Sequence, residues 1–296
     1  MERRDFIKTT GIATAGLAVA PAIVSSCSTE PWFEISLAQW SLHRALQSGE
    51  IKFLSFPTVA KQKFGVTAVE YVSSFFEGWE RDTKYVGELK RICDYNGITN
   101  VLIMIDGEGS LGAADKTERL DAVRNHHKWV EVAKSLGCHS IRVNAQGTGS
   151  FEELRKTAAD GLSQLSMYAK GYGMNIIVEN HGGLSSNGEW LSSVMKEVNL
   201  ENCGTLPDFG NFKISDTKEY DRYTGVKELM PFAKGVSAKT HDFDGDGNEI
   251  NTDYDKMMKI VKKSGYRGHI GIEYEGNNFT EDEGIMLTKR LLERYL

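Results

Sequence analysis

Four side chains that can bind a metal ion or move a proton each follow an apolar run in the C-terminal half of the chain. They are Glu179, Asp208, His241 and Glu273. If the runs are neighbouring strands, three carboxylates come together and repel one another, so some of them must stay protonated. A divalent cation removes that repulsion, and carboxylates with one imidazole suit Mn²⁺, with Zn²⁺, Co²⁺ and Mg²⁺ as alternatives. The pattern predicts one metal site; the competing interpretation is four polar residues, each satisfied in its own loop.

Short β-branched runs recur along the chain and are separated by amphipathic stretches of helical period. Their starts lie about 30 to 40 residues apart, which is the length of one strand–helix unit. The eight runs are Glu34–Gln39, Val66–Tyr71, Thr99–Ile105, Ser140–Asn144, Asn175–Glu179, Gly204–Asp208, Val236–His241 and His269–Tyr274. The helical stretches include Lys84–Asn96, Lys116–Leu136, Glu152–Tyr172, Glu189–Val198, Asp253–Lys263 and Glu281–Tyr295.

Eight such units predict an α/β fold, a single (β/α)₈ TIM barrel over residues 31–296. The competing fold, an open doubly wound sheet, usually has a glycine-rich phosphate-binding turn after its first strand. The stretch Gln39–His43, which follows the first run, contains no glycine. In a TIM barrel the active site lies at the C-terminal ends of the strands, so the four residues are expected together at that end.

The composition supports a large folded domain and argues against nucleic acid as a partner. Of the 296 residues, 40% are hydrophobic, which is enough to bury a core and excludes a disordered chain. The formal net charge is -6, whereas proteins that bind nucleic acids usually carry a basic surface. A small-molecule partner is therefore expected.

Residues 1–30 are predicted to be an export signal rather than part of the fold. Arg3 and Arg4 precede an apolar run, Gly11–Val24, that is too short to span a membrane and resembles the centre of a twin-arginine signal. The segment ending at Cys27 resembles a lipobox, whose cysteine carries lipid; ordinary signal-peptidase cleavage is the alternative. The protein is expected to be exported, and either periplasmic or a membrane-anchored lipoprotein.

The motifs around the four residues resemble those of the sugar phosphate isomerase/epimerase family of xylose-isomerase-like TIM barrels. The motifs are Val178-Glu179-Asn180-His181-Gly182-Gly183, Pro207-Asp208-Phe209-Gly210-Asn211, Lys239-Thr240-His241 and Gly271-Ile272-Glu273. The resemblance implies that Glu179, Asp208, His241 and Glu273 bind one divalent metal ion. It also implies that Glu179 and Glu273 exchange the proton beside a keto-sugar carbonyl, while the metal polarises that carbonyl and steadies an ene-diolate. A metal-dependent sugar isomerase or epimerase is expected.

Two departures from the family pattern leave the reaction open. Similar keto-sugar epimerases have a histidine where this chain has Asn211, and an arginine in the stretch that here reads Asp242–Gly247. Without these ketose-holding residues, the same proton abstraction fits a lyase that eliminates the aglycone of a 3-keto-glycoside. A catalytically inactive periplasmic sugar-binding barrel is the second alternative. Because phosphorylated sugars are cytoplasmic, an exported protein is expected to use a free or glycosidic keto-sugar.

Further polar residues are expected near the same strand ends. Lys239 lies two residues before His241, on the same strand face. It is a candidate general acid or base or a residue that holds a substrate hydroxyl, and an ion pair with a neighbouring acid is the competing interpretation. His43 and His181 are candidates for the acid that protonates a leaving oxygen. The predicted substrate-binding residues are Asn144, Gln146, Asn211 and Trp40.

The stretch Asp242–Asp253 has the spacing of a calcium-binding loop at Asp242, Asp244 and Asp246. An EF-hand, however, is a loop between two helices, and here a strand is predicted before the loop. We therefore interpret the stretch as an acidic loop, with Ca²⁺ binding as the alternative.

Overall fold

The computed structural model of the protein describes residues 31–296, whose main sheet has eight parallel strands. Two further strands in this range, β7 and β8, form a small antiparallel hairpin. The strands are β1 (Glu34–Ala38), β2 (Ala68–Val72), β3 (Thr99–Met104), β4 (Ser140–Val143), β5 (Asn175–Glu179), β6 (Cys203–Leu206), β7 (Lys213–Ser215), β8 (Lys218–Glu219), β9 (Val236–Thr240) and β10 (His269–Tyr274). The predicted export signal, with Cys27, lies outside the described residues.

Hydrogen bonds beyond the end of β6 close the sheet into a barrel. The strands follow the order β6-β5-β4-β3-β2-β1-β10-β9, and neighbouring strands are parallel. The backbone N–H of Phe209 donates to the carbonyl of Ser237 (3.1 Å), and the N–H of Ser237 donates to the carbonyl of Pro207 (2.9 Å). These bonds join the segment after β6 to β9. The predicted (β/α)₈ TIM barrel is confirmed.

The boundaries of the strands lie within two residues of the predicted ones, and the early end of β6 has a local cause. Strands β5 and β10 begin and end where the sequence indicates. Strand β6 ends at Leu206 instead of Asp208, because Pro207 has no N–H with which to continue the ladder. Asp208 still forms an isolated parallel bridge with Ser237.

Helices separate the strands along the chain. Those in residues 31–296 are α1 (His43–Gln47), α2 (Phe56–Phe64), α3 (Thr83–Asn96), α4 (Lys116–Leu136), α5 (Phe151–Lys170), α6 (Gly188–Val198), α7 (Arg222–Leu229), α8 (Tyr254–Lys263) and α9 (Glu281–Glu293). The sequence predicts α4 at both ends but does not indicate α7, which contains weak helix formers such as Thr224 and Gly225. Close packing explains why residue 225 is a glycine. The ring of Phe212 lies 2.1 Å from the position that a Cβ of residue 225 would occupy.

The hydrophobic core is one continuous cluster of buried residues, yet several strands also carry buried charged residues. Arg142 lies in β4 and Glu70 lies in β2, and both are less than 5% exposed. Such groups require partners inside the protein. Among residues 31–296, no helix is both long enough and apolar enough to cross a membrane.

Helix α9 packs closely against β10, the strand that carries Glu273. A Cβ added at Gly284 would lie 2.3 Å from the ring of Tyr274, which is fully buried. The absence of a side chain at residue 284 therefore lets the helix approach the end of this strand.

We expect Gly284→Ala to lower the free energy of unfolding by about 1 to 3 kcal/mol, because the added methyl group overpacks the contact with Tyr274. Gly87→Ala in α3 is the matched control. A Cβ there has no neighbour within 4 Å, and alanine favours a helix over glycine by up to about 1 kcal/mol. Urea unfolding followed by circular dichroism measures both variants; equal stabilities would contradict the packing described.

A candidate metal centre at the mouth of the barrel

Three buried carboxylates converge at the C-terminal ends of the strands, which we call the mouth of the barrel. Glu179 is the last residue of β5, Asp208 follows β6 by two residues, and Glu273 lies in β10. One oxygen of each lies within 4.8 Å of the others, and each residue is at most 4% exposed. In residues 31–296 no other group of His, Cys, Asp and Glu has this spacing. We call the three residues the carboxylate cluster.

Two side chains of β9 lie between Asp208 and Glu273. The hydroxyl of Ser237 is 3.0 Å from Asp208 Oδ2 and 2.6 Å from Glu273 Oε2. The ammonium of Lys239 is 3.6 Å from Asp208 Oδ2 and 3.2 Å from Glu273 Oε1. The contacts of Lys239 are therefore those of the ion pair that the sequence offered as one interpretation. Its role as a general acid or base stays a prediction.

Arg142 and Asn211 contact the third carboxylate, Glu179. Asn211 Nδ2 donates to Glu179 Oε1 (3.0 Å). Arg142 Nε lies 2.8 Å from Glu179 Oε2, but the two are not aligned as a hydrogen bond, and neither atom has another hydrogen-bond partner in the described residues. Arg142 also contacts Asp106 through Nη1 (2.9 Å). The charge of Glu179 is thus balanced by Arg142, although Oε2 accepts no aligned hydrogen bond in the described residues.

The segment after β6 fixes the orientation of Asp208. The backbone N–H groups of Gly210 and Asn211 donate to Asp208 Oδ1 (2.6 and 2.8 Å). Asn180, the residue after Glu179, accepts from the N–H of Asp208 (2.8 Å) and donates to its carbonyl (3.0 Å). Oδ1 is therefore used by the backbone, and Oδ2 points to the cluster.

Burial and the nearby cations act in opposite directions on the carboxylate cluster. Burial raises the pKa of Glu179 and of Asp208, although Arg142 and Lys239 oppose the rise. Burial acts on Glu273 as well, but the ammonium of Lys239 and a serine hydroxyl together lower its pKa. The same carboxylates hold the pKa of Lys239 well above its ordinary value in spite of burial. A bound divalent cation would favour the ionised form of all three carboxylates.

A fourth buried carboxyl group, that of Glu70, lies among the strands. The hydroxyl of Ser36 donates to Glu70 Oε1 (2.5 Å), and Oε2 has no partner in the described residues. A Cβ on Gly271 would lie 2.6 Å from Glu70 Oε1, so the glycine leaves room for the carboxyl group. Burial raises the pKa of Glu70 to about 8, against the opposing bond from Ser36 and with further repulsion from the carboxylate cluster.

His241, the predicted fourth metal ligand, is not one of the residues that converge in the carboxylate cluster. It is the first residue after β9, and its backbone N–H donates to Glu249 Oε1 (3.4 Å). Its role as a ligand stays a prediction.

The other predicted histidines are near the mouth but outside the carboxylate cluster. Desolvation by the surrounding protein and the nearby cations Arg142 and Lys239 lower the pKa of His181. His43 Nδ1 lies 2.8 Å from the carbonyl oxygen of Trp40, and the two rings stack with centroids 4.9 Å apart. Trp40 Nε1 donates to Glu275, whose other oxygen is 3.1 Å from Lys239 Nζ. Trp40 is thus connected to the cluster through one carboxylate.

The predicted substrate-binding residues after β4, Asn144 and Gln146, are not part of the carboxylate cluster. Asn144 Nδ2 donates to Asp106 Oδ1 (2.7 Å), and Asp106 contacts Arg142. Gln146 has an exposed side chain, and both residues line a cavity of about 240 Å³. Their binding of substrate stays a prediction.

Four polar residues of this network are absent from the predicted site: Glu70, Arg142, Ser237 and Glu275. The sequence does carry a signal for them. Glu70 is a charged residue in the middle of the apolar strand β2, and Arg142 lies between Ile141 and Val143 in β4. Ser237 lies two residues before Lys239, and two residues along a strand return to the same face.

Polar groups of the acidic loop after β9 form hydrogen bonds with one another and with Arg294. Asp244 Oδ1 accepts from the backbone N–H groups of Asp246 and Asn248 (2.9 Å each). Arg294 Nη2 donates to the carbonyls of Asp246 (2.9 Å) and Gly247 (3.1 Å). These contacts favour an acidic loop over a calcium site.

Comparison with known proteins decides the family. A family model described as "Xylose isomerase-like TIM barrel" matches residues 59–294, well over half of the chain. The chain belongs to this family.

The chain is also similar to an inosose dehydratase in sequence and to two proteins of known structure in fold. The inosose dehydratase of Serratia proteamaculans (strain 568) is 25% identical over 263 residues, which are 74% of this chain and 85% of the relative. A D-tagatose 3-epimerase-like protein of known structure has a TM-score of 0.67 and 19% identity, covering 88% of this chain and 96% of its own. The IOLI protein, solved with a bound zinc atom, has a TM-score of 0.65 and 16% identity, covering 89% and 99%.

The carboxylate cluster of this xylose isomerase-like barrel fits a divalent cation. It offers oxygen donors only, which suit Mn²⁺ and Mg²⁺ in particular. Glu179 Oε2 lacks an aligned hydrogen-bond donor in the described residues. The ammonium of Lys239 beside Asp208 and Glu273 indicates that the position attracts positive charge.

The raised pKa of Glu70 predicts that stability depends on pH. In the unfolded chain a glutamate loses its proton near about pH 4.3, whereas folded Glu70 keeps its proton to about pH 8. Between these values only the unfolded state loses the proton, so the free energy of unfolding falls as the pH rises, by about 1.4 kcal/mol per pH unit. We expect Glu70→Gln to remove this contribution.

Urea unfolding in EDTA, from about pH 5 to about pH 8, measures the slope for Glu70→Gln and wild type. Glu50→Gln is the control, because Glu50 is exposed. If Glu70→Gln and wild type lose stability equally over this range, Glu70 is not a buried neutral acid.

Proposed function

We propose that this protein is a divalent-metal-dependent sugar isomerase or epimerase that abstracts the proton alpha to the carbonyl of a keto-sugar. The observation that carries the proposal is the carboxylate cluster, buried at the mouth with its donor atoms within 4.8 Å of one another. Membership in the xylose isomerase-like family supports a sugar as the substrate, and the D-tagatose 3-epimerase-like neighbour supports an epimerase.

Glu179, Asp208 and Glu273 would hold the metal ion, with His241 as the proposed fourth ligand. We propose Mn²⁺, with Zn²⁺, Co²⁺ and Mg²⁺ as alternatives, and the zinc atom of the IOLI protein supports a metal in this fold. When bound, the metal supplies positive charge that polarises the substrate carbonyl.

Glu179 and Glu273 are the proposed proton carriers. One carboxylate takes the α-proton, and the electrons of the broken C–H bond move toward the carbonyl oxygen to give an ene-diolate. The other residue, which must be protonated at this stage, donates its proton to carbon as the carbonyl forms again, and this completes isomerisation or epimerisation. The ammonium of Lys239, 3.2 Å from Glu273 Oε1, favours the ionised form of this carboxylate, which can accept a proton.

The contact of Asn211 favours elimination as a second candidate reaction. Asn211 stands where similar epimerases hold the ketose with a histidine, and its amide is bonded to Glu179 (3.0 Å). The Serratia relative is a dehydratase by name, and a dehydratase eliminates water. In the proposed lyase a carboxylate takes the C2 proton of a 3-keto-glycoside. The electrons then form a C1–C2 double bond, the bond from C1 to the aglycone oxygen breaks, and His181 or His43 protonates that oxygen.

The charges at the mouth support a substrate without a phosphate group. Arg142 contacts Asp106 and Glu179, and Lys239 contacts three carboxylates, so both cations are already neutralised. We also propose that the protein is exported by residues 1–30 and carries lipid at Cys27. Export is consistent with a free or glycosidic keto-sugar, because phosphorylated sugars are cytoplasmic.

We expect the Mn²⁺-loaded wild type to retain about one divalent ion per chain after dialysis, and Mn²⁺ to raise its melting temperature. Asp208→Asn removes an oxygen ligand, so both effects decrease strongly. His241→Ala lowers metal affinity at least about tenfold if the imidazole is the fourth ligand. Plasma mass spectrometry and thermal unfolding provide the readouts. Asp244→Asn, in the acidic loop, is the control; equal metal contents in it and Asp208→Asn would contradict the metal site.

We expect the Mn²⁺-loaded protein to exchange deuterium from D₂O into the carbon beside the carbonyl of its substrate. NMR with a panel of keto-sugars and 3-keto-glycosides detects this exchange and distinguishes new stereochemistry from loss of the aglycone. Glu273→Gln slows the exchange at least about 100-fold because it removes a proton carrier, whereas Glu50→Gln on the surface does not. Equal exchange by Glu273→Gln and wild type would refute the assignment. Sugar binding without any exchange would identify an inactive sugar-binding barrel.

A further inference from the structure

A cavity of about 240 Å³ lies near the carboxylate cluster, between the ends of β3 and β4 and helix α4. Side chains that line it include Glu108, Ser110, His126, Asn144 and Gln146. The hydroxyl of Ser110 and the backbone N–H of Gly112 both donate to the carbonyl of Gln146. These bonds attach the loop after β3 to the end of β4, so the two walls of the cavity are joined.

The residues of this cavity offer hydrogen-bond acceptors that have no donor in the described part of the chain. His126 Nδ1 lies 2.7 Å from the carbonyl oxygen of Ala122, so Nδ1 carries the proton and Nε2 is an acceptor. Asn144 Oδ1 is buried without a partner. Glu108 uses Oε1 for the indole N–H of Trp129 (2.7 Å), while its Oε2 accepts no hydrogen bond.

The charge of Glu108 is already balanced, because Lys128 Nζ lies 2.8 Å from it. A cation is therefore not needed to neutralise the cavity. A buried acceptor that stays unpaired, such as Asn144 Oδ1, costs free energy, and a neutral O–H donor satisfies it. The chemistry of the wall thus matches the hydroxyl groups of a sugar ring.

Consecutive polar contacts connect this cavity to the carboxylate cluster. Asn144 Nδ2 donates to Asp106 Oδ1 (2.7 Å), and Arg142 Nη1 lies 2.9 Å from the same oxygen. Arg142 Nε in turn lies 2.8 Å from Glu179 Oε2. Asn144 therefore belongs both to the lining of the cavity and to the polar contacts that reach Glu179.

We propose that the cavity binds a second, hydroxyl-bearing ring that is joined by a glycosidic bond to the keto-sugar at the carboxylate cluster. The proposal rests on the proposed function and narrows its substrate class to glycosides of at least two rings. The volume of about 240 Å³ is smaller than that of sites for whole drug-sized ligands, which begin at about 300 Å³, and therefore suits one ring.

Isothermal titration calorimetry of the Mn²⁺-loaded protein tests the proposal with four stable probes. Methyl β-glucoside and methyl β-galactoside have one ring, and cellobiose and lactose add a glucose ring to each of them. We expect at least one disaccharide to bind about tenfold more tightly than its one-ring counterpart, because two or more acceptors gain hydroxyl partners. Equal affinities in both pairs would overturn the proposal, and so would an absence of binding by all four probes.

Two variants localise the effect to the cavity. Gln146→Ala shortens an exposed side chain, and Glu108→Gln keeps the acceptor for Trp129 but removes the charged oxygen. Both are expected to reduce the ratio of two-ring to one-ring affinity to about one. Asn277→Ala, at an exposed position after β10, is the control and keeps the wild-type ratio. A wild-type ratio in both cavity variants would overturn the proposal.

The outcome is separable from that of the proposed function. A retained affinity ratio without deuterium exchange would refute the proposed reaction and leave the cavity as a sugar-binding subsite. Deuterium exchange with no difference between one-ring and two-ring probes would refute the subsite and leave the reaction standing.

Discussion

Three buried carboxylates within 4.8 Å of one another repel strongly, and the mouth of this barrel is organised to offset that repulsion. Lys239 contacts two of them, and Arg142 lies beside the third. Both cations come from strands, where packing holds a side chain more rigidly than a loop does. Gly210 leaves room for the side chain of Lys239, because a Cβ at residue 210 would lie 3.0 Å from the aliphatic part of that lysine. Removal of either cation would leave buried charge without compensation.

The sequence predicts the barrel and the positions of Glu179 and Glu273 because both depend on local pattern. Apolar runs at regular spacing indicate strands, and an acidic residue at the end of such a run must reach the mouth. Arg142 and Glu70 are different, because a charged residue within a strand normally faces solvent. In a closed barrel it can face other buried groups instead, and its partners come from distant strands that local pattern does not identify.

Membership in the family determines the fold, but the reaction depends on a few side chains at the mouth. The same removal of a proton ends in epimerisation or in elimination, depending on what holds the rest of the sugar. Asn211 is directed to Glu179 in this chain, and the region around Asp106 and Asn144 extends the mouth toward β3 and β4. These contacts lie outside the carboxylate cluster, so they can differ between barrels of one family while the cluster is kept.

The bridge between Asp208 and Ser237 closes the barrel, and both residues also belong to the network of the candidate metal centre. The two ends of the eight-stranded sheet therefore meet at the site itself. An ion held by Asp208 and Glu273 would act as a crosslink across that join, as a disulfide does in other folds. Assembly of the carboxylate cluster and closure of the barrel would then depend on the same contacts.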